Sequence, residues 1–211
     1  MAQSSSDSLL LSWIGRWHQS LVFGRRTRVL TRLLAHQIPP GAAVLDIGCG
    51  DGTVGSMLMQ SRSDITVEGV EISVRPGCRV PCRVFDGEEL PYPDRSFDVC
   101  LFVDVLHHTN DAAVLLREAV RVSRSFLLLK DHVSESSIDR FTLRFMDWVG
   151  NRPYKVPLPY NYQNRSEWND RFAAAQLILK TWQTEVPMYP FPLNALFGRT
   201  LHFVALLEKS M

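Results

Sequence analysis

Between residues 42 and 133 five short apolar runs recur: "AAVLDIG", "ITVEGVEI", "CRVFDG", "FDVCLFVDV" and "SFLLLKDHV". Helix-like patterns lie between them. "DGTVGSMLMQSR" separates the first two runs, and "NDAAVLLREAVRVS", with Asn110 or Asp111 as N-cap, separates the last two. Strands joined through helices need crossover connections, which build a mostly parallel sheet with helices on both faces. Such a sheet holds its ligand at the C-terminal strand ends, where the strand order reverses.

The 211 residues suit one domain, large enough to bury roughly 70% of its unfolded surface without a disulfide or metal staple. A net charge of +1 leaves no polyanion footprint and argues against a dedicated nucleic-acid binder. No run approaches the ~20 apolar residues of a membrane span. The start, "MAQSSSDSLLLSWIG", lacks the basic region and cleavage site of a signal peptide, so a cytoplasmic protein is expected. Cys49, Cys78, Cys82 and Cys100 read as reduced thiols. Only Cys78 and Cys82 are close, as CxxxC with no nearby histidine, and no metal site is expected.

Residues 1–38 form an expected N-terminal helical segment. Leu10, Trp13, Ile14, Trp17 and Leu21 fall at helical spacing, and Arg25, Arg26, Arg28 and Arg32 follow. Two readings stand: helices packed on the domain with a solvated basic face, or a peripheral contact with a membrane surface or lipidic substrate. "IPPG" then opens the main domain, residues 39–211.

The first run ends in "VLDIGCGDG". Gly48, Gly50 and Gly52 permit a sharp turn and close ligand approach. Counted from Gly48, the third glycine of a dinucleotide fingerprint is replaced by Thr53. A P-loop is excluded because no lysine lies between Gly41 and Ser73. Asp46 and Asp51 would repel phosphate and would suit a cationic ligand. Glu71 ends the second run, 25 residues after Asp46, where a carboxylate can accept from both ribose hydroxyls. Asp86 follows the third run and can accept from an amino group such as adenine N6. The set describes an adenosine with a positively charged tail.

Together, "VLDIGCGDG", Glu71, "DGEELPYPDRSFDVCLFVDVLHH" and "LLREAVRV" resemble the class I S-adenosylmethionine-dependent methyltransferases over about residues 40–130. The resemblance is strongest to the small-molecule, quinone-biosynthesis-like subgroup. It implies a Rossmann-like, doubly wound α/β sheet of seven strands, mostly parallel, whose sixth and seventh strands form a final hairpin with the last antiparallel. It implies S-adenosyl-L-methionine as cofactor. The binding set would be Asp46, Gly48, Cys49, Gly50, Asp51, Glu71, Ile72, Asp86, Gly87, Val103, Asp104 and Val105. Gly48 and Gly50 would lie under the methionine, Glu71 at the ribose, Asp86 and Gly87 at the adenine, and Val103 to Val105 along the far side.

Methyl transfer is an in-line displacement that gains mainly from alignment and water exclusion, with a base required only for a protonated nucleophile. His107 and His108 follow the fourth strand, and Asp131 and His132 the fifth. His132, His108 and Asp131 are the catalytic candidates; each histidine also reads as a structural one. The fourth strand lacks the Asn/Asp-Pro-Pro-Tyr ending of amino-group DNA methyltransferases, which argues against base methylation.

Residues 131–165 show no clean period and read as a substrate lid inserted after the fifth strand. Trp148, Tyr154, Tyr160, Tyr162 and Trp168 could close over an apolar or planar acceptor, or anchor the lid to the core. A helix over "SEWNDRFAAAQLIL" and strands near "TWQTEVPMY" and "LHFVALLEK" complete the chain. The expected activity is methylation of a small, aromatic or lipidic metabolite. The alternative is a non-catalytic cofactor-binding partner protein on the same fold.

Overall fold

The computed structural model describes residues 24–151, 159–198 and 200–210, without side-chain burial for 149–151. The helix expected over residues 8–22, and Tyr154, lie outside the described residues. The N-terminal half comprises α1 (Gly24–Gln37), β1 (Ala43–Ile47), α2 (Thr53–Ser61), β2 (Thr66–Glu71), β3 (Cys82–Val84) and β4 (Phe97–Val103). A 3-10 turn, Leu106–His108, leads into α3 (Ala112–Val122) and β5 (Ser123–His132). Then come α4 (Ser137–Asn151), α5 (Arg165–Ala174), β6 (Leu177–Gln183), α6 (Leu193–Phe197) and β7 (His202–Lys209).

The seven strands form one sheet in the order β3-β2-β1-β4-β5-β7-β6. β1 to β5 pair in parallel, and β7 runs antiparallel to both β5 and β6. Strand order reverses between β1 and β4, so Ile47 and Val103 end side by side at the switch point.

The runs are continuously apolar because both sheet faces are covered. Leu45, Ile47, Cys100 and Phe102 share a buried cluster with Leu115 and Leu116 of α3 and Trp168 and Phe172 of α5. Val44, Val99 and Leu101, the alternate residues, meet Leu30 and Leu34 of α1 and Leu58 of α2. Burying one such leucine stabilises by about 1.5–3 kcal/mol. Asp111 caps α3 by accepting from the Ala113 N–H at 2.9 Å. Asn164 and Glu167 close a capping box on α5.

Three expectations need correction. The helix expected to reach Leu179 stops at Ala174, and "LILK" is the start of β6. Its apolar residues can extend a helical stripe, but pairing with β7 satisfies their backbone groups in the sheet. The lid is not irregular throughout, since α4 fills Ser137–Asn151. Of the two readings of Trp168 the structure bears out anchoring to the core: it is 1% exposed, packs on Phe172 and Phe203, and donates through Nε1 to the His132 carbonyl at 3.0 Å. The basic face of α1 is not wholly solvated, because Arg26 turns inward to Asp104.

Candidate active site

The turn after β1 is bent by Gly48, Gly50 and Gly52, with φ of 72°, 61° and 71°, a region that costs other residues roughly 1–2 kcal/mol. At Gly48 a Cβ would meet Val105 Cγ2 at 2.7 Å. The bare backbone is therefore what lets this loop lie against the end of β4. Asp51 turns back to accept from the Thr53 N–H at 3.0 Å, at the start of α2.

Glu71 closes one side of the loop. Its Oε2 accepts from the Gly50 N–H and its Oε1 from the Ile72 N–H, both at 2.9 Å. Asp46 is 2% exposed beneath it. Burial, then the neighbouring Glu71, pushes the Asp46 carboxyl up to about 7. Asp86 accepts from the Glu88 and Glu89 N–H groups, both at 2.8 Å, and these bonds hold its carboxyl below the usual range. Gly87 has φ of 93°, with Ile72 Cδ1 3.3 Å from where its Cβ would be, and Ile72 itself is 62% exposed.

These residues fit an adenosyl sulfonium. One carboxyl is buried at the end of β1, one is pinned by backbone donors of the glycine loop, and the exposed Ile72 borders Gly87 beside the last acid. Asp104 departs from expectation. It sits at φ of 58°, and its carboxylate is committed to Arg26 and Lys130. Burial alone would raise the Asp104 carboxyl, but Lys130 and then Arg26 hold it well below the usual range.

Beyond β4 a buried polar cluster assembles. His107 Nδ1 lies 2.5 Å from Asp131 Oδ1, whose second oxygen accepts from the Leu106 N–H at 3.1 Å. His107 Nε2 lies 3.4 Å from Asp147 Oδ2, without hydrogen-bond alignment, and Asp147 also accepts from the Tyr162 hydroxyl. His132 Nδ1 stands 3.4 Å from His107 Nδ1. Lys130 Nζ lies 3.3 Å from His202 Nδ1. Three basic side chains, Arg26, Lys130 and His107, thus face three carboxylates, Asp104, Asp131 and Asp147.

This balance separates the histidines. Burial alone would lower His107, but Asp131 and then Asp147 hold it at about 10, so it is an imidazolium at neutral pH. Burial, then the charge on His107, pushes His108 down to about 4. Its ring lies 4.0 Å from that of His107, centroid to centroid, and it is partly exposed. His132 is lowered by burial, then by Lys130 and His107, and is 3% exposed.

The structure therefore gathers His107, His108, Asp131 and His132 at one strand edge. Arg26, Lys130, Asp147 and His202 were not anticipated. Lys130 carried a usable signal, a lysine inside the apolar run "SFLLLKDHV". The others gave none locally.

Sheet order, glycine loop and acids define a class I methyltransferase. The chain belongs to the methyltransferase-domain family, whose model matches residues 18–180, and the family implies S-adenosylmethionine as methyl donor. It is 36% identical over 126 residues to 27-O-demethylrifamycin SV methyltransferase of Amycolatopsis mediterranei, covering 52% of this chain and 46% of that protein. It is 35% identical over 95 residues to 2-methyl-6-phytyl-1,4-hydroquinone methyltransferase of Synechocystis, covering 40% of this chain and 30% of the relative. The chain thus spans less than half the length of these relatives. A methyltransferase solved in complex with the Haloferax volcanii Trm112 activator shares the fold, with a TM-score of 0.68 at 14% identity over 97% of both chains. Among the described residues no helix is long and apolar enough to cross a membrane.

Proposed function

We propose that this chain methylates a small apolar or aromatic metabolite, with His108 accepting the proton of the attacking group. The observation that carries this is the position of His108: a partly exposed imidazole on the 3-10 turn, five residues beyond Val103 at the switch-point edge. S-adenosylmethionine supplies a methyl group on a sulfonium sulfur. Gly48 and Gly50 let the loop backbone approach it, Glu71 takes the ribose hydroxyls, and Asp86, Gly87 and Ile72 border the adenine. Asp46 gains its full charge when a cation lies beside it, and Val103 to Val105 line the opposite wall.

Asp131 is a positioning residue. It holds His107 by one oxygen and the Leu106 N–H by the other, which fixes the turn that presents His108. His132, buried behind His107, completes that support. The apolar character of the acceptor is supported by α4, whose Ile138, Phe141, Phe145 and Trp148 are 68%, 75%, 49% and 48% exposed. The two sequence relatives, named for small-molecule acceptors, support the same class. A cavity of about 510 Å³ lies along α4, lined by Phe141, Phe145 and Trp148 among other α4 residues. The reacting centre is assigned instead to the space beside His108.

The test is to incubate the purified chain with S-adenosylmethionine and apolar metabolite fractions, and to detect methylated products by mass spectrometry. His108→Asn should lose roughly 10²–10⁴-fold in turnover while calorimetric cofactor affinity stays within twofold. Cofactor binding with no methylated product in any fraction would support the non-catalytic reading.

A further inference from the structure

Cys49, Cys78 and Cys82 belong to different segments: the glycine loop, the turn after β2 and the first position of β3. Their Sγ atoms nevertheless lie within 4.8 Å of one another, and Cys49 Sγ and Cys82 Sγ are 3.4 Å apart. All three are free thiols. The spacing of Cys78 and Cys82 gives no ligand set by itself. The third donor stands 29 residues before Cys78 and arrives only through the fold.

A buried cysteine is ordinarily a small apolar filler, and Cys100, 0% exposed in β4, is one. That account does not cover Cys78 and Cys82, which are partly exposed at the rim. The backbone around the thiols is also cleared for them. A Cβ on Gly69 would stand 2.5 Å from Cys49 Sγ, and one on Gly52 would stand 3.0 Å from Cys78 Sγ. The Cys78 N–H donates to the Arg75 carbonyl at 3.2 Å, across a turn in which Gly77 has φ of 74°. The Arg79 N–H donates to the Asp51 carbonyl at 3.0 Å, and the Gly69 N–H to the Pro81 carbonyl at 2.8 Å. The turn is thereby held to the glycine loop at Asp51 and to β2 at Gly69.

We propose that Cys49, Cys78 and Cys82 form a three-thiolate site for a soft divalent cation of the zinc type, with a fourth position open to water. Tetrahedral zinc with bonds of about 2.3 Å places its sulfurs about 3.8 Å apart, and the observed cluster reaches that spacing by small side-chain shifts. On binding, three thiols release three protons to solvent and form three metal–sulfur bonds, with no change of oxidation state. Arg75 and Arg79, on the same turn, favour the net negative charge of a zinc trithiolate. The ion would tie the glycine loop to the turn after β2. Its influence on Gly48 and Gly50 rests on the cofactor site proposed above; metal binding itself does not.

The test is cobalt(II) titration of the reduced, metal-stripped full chain. One equivalent should produce thiolate-to-cobalt charge-transfer absorption and intense tetrahedral d–d bands, which zinc then displaces. Cys78→Ser and Cys82→Ser should each lose most of the charge-transfer intensity and weaken cobalt binding at least tenfold. Cys100→Ser should keep both. Because Cys49→Ser lies inside the glycine loop, the two rim variants carry the test. Bands absent from the wild-type chain, or undiminished in both rim variants, would overturn the proposal. A chain that binds S-adenosylmethionine calorimetrically yet gives no cobalt bands removes the metal site alone, and the reverse result removes the cofactor reading alone.

Discussion

The two walls of the site are built differently. On the glycine-loop side, short local segments do the work: bare backbone, an acid pinned by neighbouring N–H groups, and the buried carboxyl of Asp46. On the His108 side, side chains from α1, β4, the 3-10 turn, β5, α4 and β7 converge in a buried cluster of alternating charge. The first wall presents backbone and carboxyl groups drawn from short, adjacent segments. The second has already paired its charges, and in it burial, then the charge on His107, lowers His108.

The largest expected effect breaks the paired wall. Asp131→Ala strands His107 and the Leu106 N–H, and should destabilise by about 3–5 kcal/mol in urea unfolding. Asp131→Asn, which keeps the shape and loses the charge, should cost less. If Asp131→Ala unfolds at the wild-type midpoint, the cluster is not structural.

Next is the glycine-loop wall. Gly48→Ala combines a left-handed φ, worth roughly 1–2 kcal/mol, with a 2.7 Å approach to Val105. S-adenosylmethionine affinity, read by calorimetry, should fall at least ~10-fold, since each 1.4 kcal/mol is about tenfold. Wild-type affinity in the variant would remove the loop from the binding floor.

The walls also separate by pH. Asp46 is raised from its ordinary 3.8 to about 7, so the stability it contributes is full below about 4 and is lost as pH rises through 7. His107 is raised from 6.5 to about 10, so its contribution is full below 6.5 and is lost as pH rises through 10. In the ligand-free chain, Asp46→Asn should flatten the decline between pH 4 and 7, and His107→Gln the decline between 6.5 and 10. Each slope is on the order of 1 kcal/mol per pH unit at most. A decline that both variants keep would assign it to other groups.

The smallest stability effect is expected on α4. Phe141→Ala with Trp148→Ala removes exposed side chains and should shift unfolding by no more than about 0.5 kcal/mol each. The same variant should raise the KM for an apolar acceptor without changing cofactor affinity. An unchanged KM would show that α4 does not meet the acceptor.

Strands β1 to β5 were legible because each is a continuous apolar run covered on both faces. The loop after β1 was legible because its glycines, and the acids beside them, act through adjacent backbone. α4 was not. Its exposed Ile138, Phe141, Phe145 and Trp148 do recur at helical spacing, with Leu143 turned inward, but the prolines and aromatics that follow mask that stripe over residues 131–165 as a whole. Trp168 stayed open between two readings for a related reason: an aromatic looks the same in sequence whether it closes on a ligand or, as here, on Phe203.

The sequence by itself determined the alternating layers, the strand-end acids and the turn that glycine alone tolerates cheaply. Each follows from the chemistry of neighbouring residues or from a short period. Tertiary structure alone decided that Arg26 meets Asp104, 78 residues away, that Asp147 faces His107, and that Cys49 joins Cys78 and Cys82. Such pairings depend on which elements the sheet order brings to one edge, and charge or sulfur chemistry acts over a few ångströms whatever the distance along the chain.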